Sequence, residues 1–82
     1  MIILDANQME DREALHALLK SRLGPPDYYG GNLDALNDCL GETSRRELIV
    51  IRAFSDFAEN LGPYGFRLLQ VFSDNGWQVL LD

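Results

Sequence analysis

Leu48-Ile49-Val50-Ile51 is an unbroken apolar run, and how it is read decides the fold. A strand wetted on one face alternates apolar and polar residues with a period of two. This run does not alternate, so it reads as a strand covered on both faces or central in its sheet. Working outward, Met1 to Leu4 is a second short apolar run ending in Asp5, and Trp77 to Leu81 is a third. Between the first two runs, Asp11 can cap a helix whose Leu15, Leu18, Leu19 and Leu23 recur at helical spacing. Gly24-Pro25-Pro26 stops that helix, because proline lacks the N–H and disfavours helix in the residue before it. Tyr28 to Gly31 follows as an irregular loop, with Gly30-Gly31 free to take positive φ. Asn32 is a good N-cap for a second helix to about Leu40, which Gly41 can close.

Beyond the central run, Ser55 or Asp56 can cap a short helix through Leu61. Gly62-Pro63 breaks it, and a fourth helix carries Phe66, Leu68, Leu69, Val71 and Phe72 to the Asp74-Asn75-Gly76 stop. The order β-αα-β-αα-β predicts a small α/β domain with a parallel sheet and right-handed crossovers.

The 82 residues are expected to form one domain, 1–82, and 46% hydrophobic with 24% charged residues is a globular composition. The net charge of −6 argues against a nucleic-acid partner, whose phosphates would be repelled. It argues equally against an anionic membrane surface, which needs a basic patch. No apolar run is long enough to span a bilayer, and no charged segment followed by an apolar one reads as a secretory signal. Cys39 is the lone cysteine, so no internal disulfide can form, and a cytoplasmic setting is the simplest expectation.

The segment from Leu23 to Ser44 carries four acids, Asp27, Asp34, Asp38 and Glu42, and no Lys or Arg. Asp34, Asp38 and Glu42 sit four apart, which stacks them in one row on a helix. Leu33, Leu36, Cys39 and Leu40 fall on the other side, with Asn37 at the border. Like charges so spaced cost roughly 0.2–0.5 kcal/mol per pair, and Glu42 lies near the negative end of the helix dipole. The plain explanation is a solvated face. The absence of any compensating base, beside Tyr28 and Tyr29, suits instead a surface for a basic partner.

Catalytic readings are weaker. His16 lies on the first helix beside core-facing Leu15, and nothing directs it at Cys39, so a structural histidine and a buried cysteine are expected. Asp34 and Asp38 as acid and base would need a desolvated pocket that an exposed helix face does not provide. Their spacing matches no calcium or zinc pattern, and Gly62-Pro63-Tyr64-Gly65 lacks the Lys and Ser/Thr of a phosphate loop. Neither an enzyme nor a cofactor is expected.

The segment from Pro26 to Leu40, Pro-Asp-Tyr-Tyr-Gly-Gly-Asn-Leu-Asp-Ala-Leu-Asn-Asp-Cys-Leu, resembles the signature of the barstar family of ribonuclease inhibitors. Leu69-Gln70-Val71-Phe72 resembles that family's final helix, and the element order matches throughout. The resemblance implies a three-stranded parallel sheet in the order 1-2-3 packed on helices. It also implies a protein that plugs the basic active site of a barnase-like ribonuclease, with carboxylates in place of RNA phosphates. By position, Asp38 matches the aspartate seated in the phosphate pocket. Asp34 and Tyr28 match its neighbouring contacts, and Gly30, Asn32 and Leu33 the supporting ones. Asp74 matches an acid on the last helix that also faces the enzyme.

The departures are Asn37, where the family motif usually has tryptophan, Gly31 for a glutamate, Thr43-Ser44 where an aromatic stands, and Glu47 for a proline. Asn37 and Glu42 join the expected partner surface. Two readings follow. One is a ribonuclease inhibitor or immunity protein, monomeric when free. The other is an interaction or regulatory domain of the same fold with a different partner, which the missing aromatics favour.

Overall fold

The computed structural model describes residues 1–23 and 31–82. The expected loop contributions of Tyr28 and Gly30 fall outside the described residues. So do Gly24-Pro25-Pro26, Asp27 and Tyr29. Strand β1 (Ile2–Asp5) leads through a single 3-10 turn (Ala6–Gln8) into α1 (Arg12–Leu23). Then come α2 (Leu33–Glu42), β2 (Leu48–Arg52), α3 (Phe54–Leu61), α4 (Pro63–Asp74) and β3 (Gln78–Leu81). The three strands form one parallel sheet in the order β1-β2-β3, as expected.

The non-alternating run is explained by its central place. Ile2, Ile49 and Val79 are in register across the sheet, and so are Leu4, Ile51 and Leu81. Ile2, Leu4, Ile49 and Ile51 are buried in one core with Leu15 and Leu19 of α1, Leu36 and Leu40 of α2, Phe57 of α3, and Leu68 and Phe72 of α4. Val50 points to the other face, in a row with Ile3 and Leu80, and being central is enough to bury it.

Helix boundaries follow local chemistry, with two corrections. Asp11 caps α1 as expected, its carboxylate accepting from Ala14 N–H at 2.8 Å. Gly41 does not close α2, which runs on to Glu42 and stops where Thr43 turns extended (φ −101°, ψ 146°). Neither Ser55 nor Asp56 caps α3. That helix starts directly after Ala53, held in the left-handed region (φ 60°) with no side-chain cap. The first-turn donor Phe54 N–H is taken instead by the carbonyl of Asp82, at 3.1 Å, just beyond β3. Gly62-Pro63 behaves as expected, Gly62 at φ 55° ending α3 and Pro63 opening α4.

No helix among the described residues is long and apolar enough to cross a membrane.

Candidate protein-binding site

Helix α2 carries the acidic face, and its start follows from local chemistry. Gly31 at φ +74° turns the chain in, and the Asn32 side chain accepts from Ala35 N–H at 2.8 Å. Asn32 is thus a cap, as its residue type suggested, and replacing such a cap by alanine costs about 1 kcal/mol. Leu36, Cys39 and Leu40 are buried, and half-buried Leu33 packs against them. Asp34, Asp38 and Glu42 are exposed along the opposite side, as the spacing predicts.

The two bases that follow the row bond to groups other than Asp34 and Asp38. Arg45 bonds to the Glu47 carboxylate and donates from Nη1 to the Leu23 carbonyl at 3.1 Å. Arg46 donates from Nη1 to the carbonyls of Thr43 and Arg45, each at 2.9 Å. Arg45 also lies over the Trp77 ring, 5.9 Å from its centroid. Both guanidinium groups are therefore committed elsewhere. Among the described residues neither Asp34 nor Asp38 has an ion-pair partner.

Asp74 is exposed in the last turn of α4, next in the chain to Asn75, and accepts from Gln70 Nε2 at 2.7 Å. Neither α2 nor α4 has a basic residue in its last turn. Each helix therefore ends on an acid placed against its own negative dipole end, a costly arrangement in the free protein that deepens the negative potential outside.

Asn37 is exposed beside the row, and its Oδ1 accepts from Asn75 Nδ2 at 2.8 Å. This tie between α2 and the end of α4 is absent from the sequence reading. The two residues are 38 positions apart, and no spacing rule connects them.

The acid–base candidates are not assembled into a catalytic group. His16 is buried, its Nε2 2.6 Å from the Tyr64 hydroxyl, and burial holds its pKa below the ordinary histidine value. Cys39 is a buried free thiol on the core face of α2. A cleft of about 820 Å³ between α4 and β3 is lined by Phe66, Leu69, Trp77 and Leu80 among others, and none of its lining side chains among the described residues is titratable. No cluster of metal-ligating residues occurs among the described residues.

The family described as Barstar (barnase inhibitor) matches residues 1–79. The chain belongs to the barstar family. It is also 42% identical over 74 residues, 89% of its own length and 81% of the relative's, to the protein of Bacillus subtilis (strain 168) named "Putative ribonuclease inhibitor YrdF". Barstar-family proteins are inhibitors rather than enzymes, and membership implies a ribonuclease as the kind of partner. The acidic face of α2 lies within the matched region, and so does Asp74.

Proposed function

We propose that this barstar-family chain acts as a single domain that inhibits a barnase-like ribonuclease by inserting the acidic face of α2 into its basic active-site cleft. Asp38 takes the place of a substrate phosphate among the partner's cationic side chains. Asp34 and Tyr28 supply the neighbouring contacts to the enzyme, and Glu42 and Asp74 extend the negative surface. Gly30, Asn32 and Leu33 supply the supporting contacts, and Asn37 borders them. The observation that carries this reading is the exposed pair Asp34 and Asp38, one helical turn apart and without an ion-pair partner among the described residues, with both following arginines bonded to other groups. The free protein works as a cytoplasmic monomer and needs no cofactor, nucleic acid or membrane.

Kinetics against a barnase-type ribonuclease test the mechanism. Exposed charges are screened beyond about 8 Å at physiological ionic strength, so association should slow markedly from low to high salt while dissociation changes less. Asp38→Ala should cost roughly 2 kcal/mol or more, a general hot-spot figure for which barstar itself is a source example. A salt-indifferent association rate, or largest losses on α1 in an alanine scan, would refute the reading.

A second reading is an interaction or regulatory domain with a non-ribonuclease partner. Asn37 favours it, because an amide already bonded to Asn75 replaces the aromatic anchor of the family motif. A cleanly folded protein that leaves barnase-type enzymes fully active would select this alternative.

A further inference from the structure

Two residues tie α2 to the end of α4 and a third, Gly41, lies beneath the tie, and each of the three is the immediate chain neighbour of an acid. Asn37 precedes Asp38, Gly41 precedes Glu42, and Asn75 follows Asp74. The Asn75 amide occupies the seam between the helices. Its Nδ2 donates to Asn37 Oδ1 and to the Val71 carbonyl, each at 2.8 Å. Its Oδ1 lies over Gly41, where an added Cβ would approach it to 3.7 Å. The Asn75 backbone N–H is held as well, by the carbonyls of Val71 and Phe72 at 3.3 and 3.2 Å. The next residue, Gly76 at φ +81°, passes under Arg46, whose Nε would be 3.0 Å from a Cβ there. The turn after α4 is therefore gripped by the last turn of α2 and the segment that follows it.

We infer that Asn75 and Asn37 are positioning residues that set the spacing between the carboxylates of α2 and that of Asp74, and so select partners whose cationic groups match it. This inference rests on the proposed inhibitory surface. The spacing of Asp34, Asp38 and Glu42 among themselves is fixed by helix geometry and needs no help. The spacing of Asp38 and Glu42 to Asp74 crosses between helices and depends on how they are registered. Hydrophobic contact alone tolerates sliding. The amide pair across the seam adds a directional bond that sliding would break. Gln70 completes the arrangement by fixing the Asp74 carboxylate on its own helix.

The test is a double-mutant cycle read as inhibition of a barnase-type ribonuclease. Asn37→Ala should weaken inhibition roughly three- to thirtyfold, within the ordinary range of coupling between neighbouring groups. In an Asp74→Asn background the same change should cost less than about twofold, because no cross-helix spacing is left to disturb. Equal losses in both backgrounds, or no loss in either, would overturn the inference. Asn37 would then touch the enzyme directly or not matter.

A second measurement separates this result from failure of the inhibitory reading. Amide hydrogen exchange on the free protein should quicken together at residues 39–42 and 75–77 in Asn37→Ala. Unchanged protection would overturn the locking role whether or not the parent inhibits the enzyme. Quickened exchange in a protein that inhibits nothing would instead place the failure in the choice of partner.

Discussion

Neutralising Asp38 should separate what the acidic row does for a partner from what it costs the free protein. The side chain is exposed, and among the described residues it accepts no hydrogen bond and has no ion-pair partner. It stands midway between Asp34 and Glu42, so Asp38→Asn removes both nearest like-charge pairs at once. At roughly 0.2–0.5 kcal/mol per pair, the free protein should gain about 0.4–1 kcal/mol. Aspartate and asparagine have similar helix propensities, and a mid-helix position is remote from both dipole ends, so neither term competes.

With a urea slope of about 1 kcal/mol/M for a chain this small, the midpoint should rise by about 0.4–1 M. The gain should shrink towards zero at about 1 M salt, where the screening length is near 3 Å. Inhibition should fall in the same variant. A less stable Asp38→Asn would show that the carboxylate makes a structural hydrogen bond. A gain that persists at high salt would show that charge repulsion is not its source.

Gly65→Ala should lower stability by about 1–3 kcal/mol, because the added Cβ would lie 2.9 Å from Phe57 Cε1 and 3.1 Å from Leu61 Cβ, both in the core. A urea melt showing no change would mean that α3 and α4 separate freely. For His16, burial lowers the folded-state pKa below the unfolded value near 6.5, so folding favours the neutral ring. Its contribution is fully present above about pH 6.5 and is lost as pH falls through the folded value. Urea midpoints should therefore decline from pH 7.5 to 5, and His16→Gln should flatten that decline. An equally steep decline in the variant would assign it to other groups.

Short-range chemistry was legible in the chain, and contacts between distant segments were not. The central strand could be read because four consecutive apolar residues exclude a one-sided strand, and the ends of α1 and α3 are punctuated by glycine and proline. The caps Asp11 and Asn32 acted as their residue types predict. The start of α3 was misread because its first donor is satisfied by the Asp82 carbonyl, a partner supplied by the sheet rather than by the neighbouring Ser55 or Asp56. The end of α2 departs from expectation because Gly41 does not terminate the helix. It keeps helical geometry and lies beneath Asn75. The acidic face followed from spacing alone. The amide tie that registers it against Asp74 did not, since it depends on a fold that only tertiary packing creates.

Helix periodicity is what allows this chain to carry a self-repelling surface at modest cost. The buried side of α2 holds Leu36, Cys39 and Leu40, and each leucine contributes about 1.5–3 kcal/mol when fully buried. The two close acid pairs on the other side take back about 0.4–1 kcal/mol. The apolar face therefore outweighs the acidic one severalfold, and the two can change independently because they lie on opposite sides of the helix. The independence fails at the seam. Asn37 and Gly41 touch Asn75 and also flank the acids, so a change there alters the packing of α2 and the geometry of its charges together. Substitutions on the acidic face should therefore trade affinity against stability smoothly. Substitutions at Asn37 should redirect the whole surface.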